Sequence, residues 1–373
     1  MNYDCLIITP FFRPNVGGVE THLDDLVNEL DSKNLKTKLL TLMPVTTKNT
    51  NCTKNEVIGN VEIVRFNWKS SYIYHWSENY PIINMLYIFP YFFIKCLFYI
   101  LKNNISAKNI HCQGINAGLI GIFLNLKIKS KILISTHALY SIKNKFFFTK
   151  FLKFFFSKFD TILCVSNASK QQILEINPNI KNKVFVYVYW VNTKLFKDLG
   201  LIQENKKTFT FIGRLIEKKG VRLIVNAAIK FPNINFKIAG SGPEEHYVME
   251  HSKRLSNLIY LGKLPNKHLT KAYCESNFVC LPSLYPEGLA RVMLESLACG
   301  TPLIATKLGS IAEALDDSVA IFTDPNEDSF FNKIKECSLI SIDDYKEMRL
   351  NCRKKALNKF SEKNFDIIAD HYL

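Results

Sequence analysis

Short apolar runs alternate with amphipathic stretches along the whole chain, the pattern of βαβ units built on parallel sheets. In the first half the runs Cys5–Thr9, Lys38–Leu42, Val61–Phe66, Asn109–Cys112, Lys131–Ser135 and Thr161–Val165 predict strands. Helical periodicity lies between them, most clearly over Val19–Leu30 and Ser169–Ile176. A polar segment, Asp198 to Lys207, interrupts the alternation and is read as a linker. The pattern then restarts. Thr208–Ile212, Phe236–Ala239, Leu258–Leu261, Phe278–Leu281, Leu303–Thr306 and Ala320–Phe322 predict strands, and Val221–Lys230, Lys267–Ser276 and Arg291–Cys299 predict helices. Gly300 and Pro302 supply a stop signal for the last of these.

The expected organisation is an α/β chain of two Rossmann-like, doubly wound domains: residues 1–197, and residues 205–357, with the amphipathic stretch at about 358–373 folding back on the first. The carboxyl ends of two parallel sheets would face each other across a cleft, and ligands of such sheets bind at those ends.

Charge changes this picture. The net charge is +15 over 373 residues, and it is lopsided: residues 1–200 carry 24 Lys+Arg against 12 Asp+Glu. Between Glu78 and Asp160 there are 11 lysines and no acid. The first half therefore attracts something anionic: nucleic acid, acidic lipid or a phosphorylated substrate. No helix-turn-helix, ribonucleoprotein or zinc-finger signature accompanies the charge, which argues against nucleic acid as a partner. The ten cysteines show no C-x-x-C pair and no zinc spacing. They are read as buried thiols of a cytoplasmic protein, and the first residues lead directly into a core strand rather than a signal peptide. Ile82–Leu101 is long and apolar but contains Asn84, Pro90 and Lys95. A membrane span, a buried helix and a helix dipping into a membrane interface all remain open for it.

Three motifs carry chemistry. Pro14-Asn15-Val16-Gly17-Gly18-Val19-Glu20 follows the first strand and opens a helix, where glycines admit an anion to backbone amides and the helix N-terminus supplies partial positive charge. A structural turn is the alternative reading. Gly213-Arg214-Leu215-Ile216-Glu217-Lys218-Lys219-Gly220 follows the first strand of the second half. There Arg214, as a planar fork, and Lys219, as a point charge, can converge on a diphosphate. In Pro286-Glu287-Gly288-Leu289-Ala290-Arg291, Glu287 precedes a helix that carries Glu295 among Val292, Met293, Leu294 and Leu297. A carboxylate on so apolar a helix needs a partner, and a ribose would serve.

The last two motifs, running into Glu295-Ser296-Leu297-Ala298-Cys299-Gly300-Thr301-Pro302, resemble the retaining GT-B glycosyltransferases of family 4. Gly17-Gly18-Val19-Glu20 resembles the glycine loop of that family, Val165-Ser166-Asn167 its serine-bearing strand end, and Ile238–Pro243 another of its turns. The resemblance implies a GT-B fold and a hexosyltransferase of polysaccharide or glycolipid synthesis. It places Arg214 and Lys219 on the donor diphosphate, with Gly17 and Gly18 on the phosphate and acceptor side. Glu295 falls on the donor ribose, and Glu287 on the transferred sugar with the amides around Gly288, Leu289, Ala290 and Arg291. His137, in Ser135-Thr136-His137-Ala138, matches a family histidine near the reacting sugar. His111 matches less well, because the family often carries a second histidine where this chain has Gln113, and it is read as structural. The chain departs from the family at Tyr189-Trp190-Val191-Asn192, at Ser310 and at Ala290.

No D-x-D pair occurs. The resemblance therefore implies a nucleotide diphosphate sugar as co-substrate, no metal and no other cofactor, and retention of configuration. The acid-free segment mixes Phe146, Phe147, Phe148, Phe151, Phe154, Phe155 and Phe156 with Lys145, Lys150, Lys153 and Lys158. This composition suits an anionic membrane surface or a partly buried helix with snorkelling lysines. The partners expected are a nucleotide sugar, a glycan or polyprenyl (lipid-linked) acceptor and the cytosolic face of a membrane. A sugar-nucleotide epimerase or another GT-B enzyme is the alternative.

Overall fold

The computed structural model describes residues 1–15, 17–44, 52–68, 81–137, 146–201, 207–287 and 289–372. They form two compact units, Met1–Val188 with Asn364–Leu373, and Tyr189–Lys363.

The first unit runs β1 (Asn2–Ile8), α1 (Gly18–Ser32), β2 (Thr37–Leu42), β3 (Asn55–Ile58), β4 (Val61–Phe66), α2 (Pro81–Lys102), β5 (Ser106–Gln113) and α3 (Gly114–Ile128). It continues β6 (Lys131–Thr136), α4 (Phe146–Ser157), β7 (Thr161–Cys164), α5 (Asn167–Ile176) and β8 (Val184–Val186). The eight strands lie in the order β3-β4-β2-β1-β5-β6-β7-β8. All neighbours are parallel except β3, which pairs antiparallel on the edge with β4. The chain order reverses between β1 and β5, so the carboxyl ends of these two strands flank the switch point.

One face of this sheet is a continuous apolar core. Ile110, Cys112, Ile132, Ile134, Ile162 and Cys164, at alternate positions of β5, β6 and β7, pack with Ile88, Phe92, Cys96 and Ile100 of α2, Ala117, Ile120 and Leu124 of α3, and Leu152, Phe155 and Phe156 of α4. Helices α2, α3 and α4 therefore form one layer over that face. Strands β3 and β8 are not among the predicted runs. Asn55-Glu56-Val57-Ile58 is half polar with Val57 facing solvent, and Val184-Phe185-Val186 is only three residues long.

The second unit runs β9 (Thr208–Ile212), α6 (Val221–Lys230), β10 (Asn235–Ala239), α7 (Glu245–Arg254), β11 (Leu258–Gly262), α8 (Asn266–Cys274) and β12 (Phe278–Leu281). It ends with α9 (Arg291–Ala298), β13 (Leu303–Thr306), α10 (Ile311–Ala314), β14 (Ala320–Thr323), α11 (Glu327–Ser338) and α12 (Ile342–Lys359). Its parallel sheet has the order β11-β10-β9-β12-β13-β14, with the switch between β9 and β12. β9, β12 and β13 are buried at every position, as expected of parallel strands covered on both faces.

Sequence polarity places the junction at Asp198–Lys207; the contacts place Tyr189–Lys197 with the second unit. Trp190 is buried there and its carbonyl accepts from Arg291, while the Val191 amide donates to Phe360 O at 2.9 Å. Asp198 is itself paired with Arg349, so a polar residue at the start of the stretch serves as an anchor. After α12 the chain returns to the first unit through α13 (Phe365–Ala369), whose Phe365 and Ile368 are buried.

Candidate functional site

In the second unit the loops after β9 and β12, the two strands at the switch point, carry the candidate donor groups. The loop 213–220 ends in Gly220, at φ 74°, which caps α6. A Cβ at this position would lie 2.0 Å from the Pro282 carbonyl oxygen, so the loop after β9 touches the loop after β12 through a bare α-carbon. A backbone bond from Leu284 N to Lys218 O, 2.8 Å, ties the same two loops. Lys219 then reaches across and pairs with Glu287. Glu287 is only 6% exposed, and its carboxylate also accepts from Ser283 Oγ. A third loop, after β13, holds the Glu287 backbone: Ser310 N donates to Glu287 O at 3.0 Å. Gly309, at φ 57°, lies so close that a Cβ would meet that oxygen at 2.4 Å.

Tyr285 stands beside this pair, with the Lys219 ammonium 5.8 Å from its ring centroid. Burial, with the Glu287 charge adding, pushes the Tyr285 phenol up, and the charges of Lys219 and Arg214 pull it the other way. Arg214 is exposed on the same loop.

Glu295 sits on α9, 5% exposed. Its Oε2 accepts from the buried Tyr273 hydroxyl at 2.7 Å, and its Oε1 lies 3.6 Å from Arg291 Nε. Burial first, and then the Glu295 charge, push the Tyr273 phenol well up, so it remains a donor. Arg291 faces inward, to Glu295 and to the Trp190 carbonyl. Its backbone amide lies in the first turn of α9, one residue after the N-cap Ala290. Leu289 is buried before that cap, and Gly288 lies outside the described residues.

In the first unit the candidate groups lie at the carboxyl ends of β1, β5 and β6, which are adjacent in the sheet. Gly17, in extended backbone, is the N-cap of α1, and a Cβ on it would meet the Glu20 carboxylate at 2.4 Å; Gly18 begins the helix. His22, one turn into α1, has its ring centroid 6.1 Å from that of His137, which follows β6.

His137 is half-buried, and its Nε2 lies 2.8 Å from Gln113 Oε1. An amide oxygen only accepts, so His137 carries its proton on Nε2. Gln113 Nε2 in turn donates to His111 Nε2 at 3.3 Å, and Ser135 Oγ reaches the same nitrogen at 2.7 Å. His111 therefore holds its proton on Nδ1 and donates to the Tyr372 hydroxyl at 2.5 Å. Burial holds both imidazoles neutral, each pulled down to about 3. A relay of hydrogen bonds thus runs from Tyr372, in the turn after α13, to His137.

The structure brings Lys219 to Glu287, Arg291 to Glu295, and His137 to the α1 end that Gly17 and Gly18 open. It adds Tyr273, Ser283 and Tyr285, which motif reading does not single out, and it bonds Gln113, noted there only as a departure from a family histidine, to both His111 and His137. Ser283 and Tyr285 lie within four residues of Glu287 and were findable as its loop; Tyr273 is distant in sequence from Glu295 and carries no local signal. Among the described residues no group of three or more His, Cys, Asp or Glu side chains could hold a metal ion.

The family model for glycosyl transferases group 1 matches residues 193–359, and that for glycosyltransferase family 4 matches residues 16–189. An uncharacterized glycosyltransferase of Methanocaldococcus jannaschii is 28% identical over 326 residues, covering 84% of this chain and 81% of that protein. A phosphatidylinositol N-acetylglucosaminyltransferase subunit of Arabidopsis thaliana is 23% identical, covering 99% of this chain and 82% of the relative. Among solved structures, sucrose-phosphate synthase from Thermosynechococcus elongatus superposes with a TM-score of 0.81 at 18% identity, covering 99% of this chain and 98% of that one. Anabaena HepE in complex with UDP-glucose superposes with a TM-score of 0.73 at 16% identity, covering 98% of each chain. The fold is GT-B. With both halves matched and each built around its own switch point, the chain belongs to the group 1 glycosyltransferases of family 4 and is a transferase.

Proposed function

We propose that this enzyme moves a hexose from a nucleotide diphosphate sugar to a hydroxyl of a glycan or lipid-linked acceptor, with retention and without a metal ion, at the cytosolic face of a membrane. The observation that carries the donor assignment is the Lys219–Glu287 pair, fixed by three loops at the carboxyl ends of β9, β12 and β13. A cation and a carboxylate held there supply a group that can bind a diphosphate and a group that can accept from a sugar hydroxyl. Donor entry transfers Lys219 to the diphosphate beside Arg214 and frees Glu287 to accept from sugar hydroxyls. Glu295, oriented by Tyr273 and Arg291, accepts from the ribose. The amides of the first turn of α9 meet sugar or phosphate oxygens.

In the transfer step the C1–oxygen bond to the diphosphate breaks, and a C1–oxygen bond to the acceptor forms on the same face. The acceptor proton passes to a diphosphate oxygen. Arg214, Lys219 and the α9 N-terminus stabilise the charge that develops on the leaving group; one such donor contributes about 2.7–4 kcal/mol in comparable sites. Gly17, Gly18 and His137 form the acceptor-side group of the first unit. The solved neighbour bearing UDP-glucose supports a nucleotide hexose, and the relatives named for transfer to phosphatidylinositol support a lipid-borne acceptor.

A thermal-shift screen with UDP-, GDP- and ADP-sugars tests the donor assignment. One nucleotide class should raise the melting temperature of the wild type and not that of Glu295→Gln; equal shifts in both would remove Glu295 from the site. Transfer should survive EDTA, and its loss would overturn the metal-free step.

A further inference from the structure

Helix α2 has two opposite apolar stripes. The inward one, Ile88, Phe92, Cys96 and Ile100, is buried in the core of the first unit. The outward one, Ile83, Leu86, Pro90, Ile94, Phe98 and Leu101, faces solvent, with Phe98 68% exposed. A surface helix of a soluble domain places polar residues on that side. Here the exposed polar positions among the described residues of α2 are Lys95 and Lys102.

The neighbouring helices extend the same surface. Phe123 of α3 packs its ring against Phe89 and Phe93 of α2, and still exposes 48% of its area. Leu126 and Lys127 follow it into solvent. Gly118 of α3 seats the Phe155 ring of α4, where a Cβ would come within 2.5 Å, so the α3–α4 contact is equally tight. On its outer side α4 exposes Phe146, Phe147 and Phe154, Phe147 to 86%. The Lys150 and Lys158 ammonium groups stand 4.4 Å over the Phe146 and Phe154 rings. No acid occurs from residue 79 to 159 to oppose these lysines.

We propose that the outer face of the α2–α3–α4 layer is a monotopic docking surface for an anionic bilayer. Helix α2 lies in the plane of the interface with its outward stripe among the acyl chains, and the lysines of α3 and α4 meet lipid phosphates. This rests on the peripheral-membrane part of the function proposed above and assigns the face that performs it. Two features select a bilayer over other occupants. The patch is large and apolar but ringed by one sign of charge, which repels a second copy of itself and attracts acidic headgroups. Its apolar side chains also project from three helices fixed on one sheet, so they enter a fluid phase together without folding of a partner. Helix α2 meets the length and hydropathy of a membrane span, over Ile83–Lys102. Its inward stripe closes the core, however, and spanning would strip that core of its cover, so the helix lies on the membrane.

Co-sedimentation of the full chain with vesicles of phosphatidylcholine, with and without phosphatidylglycerol, tests the assignment. The wild type should bind the anionic vesicles, weakly the neutral ones, and lose binding as salt rises. Ile94→Ser/Phe98→Ser and Phe147→Ser/Phe154→Ser should each lower the partition coefficient at least tenfold, and Lys150→Glu/Lys153→Glu should abolish the anionic preference. All of these positions are exposed, so melting temperature and donor-induced thermal shift should stay at wild-type values, which keeps the transferase reading separate. Leu350→Ser, on exposed α12, should bind like the wild type. Wild-type binding that the variants retain would overturn the face while leaving the membrane location standing. No binding by the wild type would overturn both. A concentration-dependent dimer dispersed by Phe98→Ser would make the patch a protein interface and overturn the bilayer assignment.

Discussion

Replacing Lys219 by Met should leave Glu287 a buried carboxylate without its cation. At contact distance in a partly buried site the lost attraction is about 4 kcal/mol at an effective dielectric constant of 20. Breaking a fully buried pair by removing one partner costs about 3–5 kcal/mol. Lys219 is 25% exposed and Glu287 7% by side chain, so water screens one end of the pair, and Ser283 still donates to the carboxylate. The expected cost is therefore about 2–3 kcal/mol to the second unit. For a unit of this size that corresponds to a melting shift of about 4–12 °C.

Urea unfolding followed by Trp190 fluorescence, with Trp68 and Trp76 replaced by Phe, reads this unit alone, because Trp190 is buried within it. The two units need not unfold together, so a probe confined to one of them is essential. Adding Glu287→Gln should recover much of the loss. A double-mutant cycle should then give a coupling of at least about 1 kcal/mol. Strictly additive costs, or a Lys219→Met protein as stable as the wild type, would refute the argument that the pair is formed and buried before donor arrives.

Asp24, on α1, is pushed up to about 7 by burial, against the attraction of Arg13 and with Asp25 adding. The folded chain then holds a proton that the unfolded chain releases near 3.8, so stability should fall as pH rises from about 4 to about 7. Three pKa units correspond to about 4 kcal/mol at most, and less where the side chain is 28% exposed. Asp24→Asn should remove that slope in pH-dependent urea unfolding; an unchanged slope would show that Asp24 is ionised throughout. Gly220→Ala should cost about 1–2 kcal/mol for the left-handed backbone alone, and more for the contact with Pro282 O. It should abolish the donor thermal shift, and a retained shift would separate the loop from donor binding. Gln113→Leu should cost about 1–3 kcal/mol by removing the amide that links His111 to His137. It should also lower kcat with donor KM unchanged; a change in KM alone would make Gln113 a binding group and remove its positioning role.

The six strands of the second unit and its helices α6, α8 and α9 were legible to within two residues, because central parallel strands such as Phe278–Leu281 and Leu303–Thr306 are continuous apolar runs between clear breaks. The edges were not. β3 is a half-polar strand whose pairing with β4 supplies what its sequence lacks, and Tyr189–Lys197 joins the second unit through contacts with Arg291, Phe360 and Arg353 that lie 100 or more residues away. The motif residues Arg214, Lys219, Glu287 and Glu295 were visible because each sits in a short, locally encoded loop or helix start. Tyr273, the partner of Glu295, was not, because a hydrogen bond between side chains of two helices leaves no trace in the spacing of one segment.

The sequence by itself determined the alternation of elements, the two units, the loops that carry charge and the acid-free stretch from 79 to 159. Apolar periodicity and loop chemistry are local properties, readable a few residues at a time. Only the tertiary structure decided that Lys219 neutralises Glu287, that Tyr372 reaches His137 through His111 and Gln113, and that the apolar side chains of α2 divide into one stripe that closes the core and one that faces outward. Pairing and burial depend on which elements the sheet order makes neighbours, and that order is set by the packing of the whole unit.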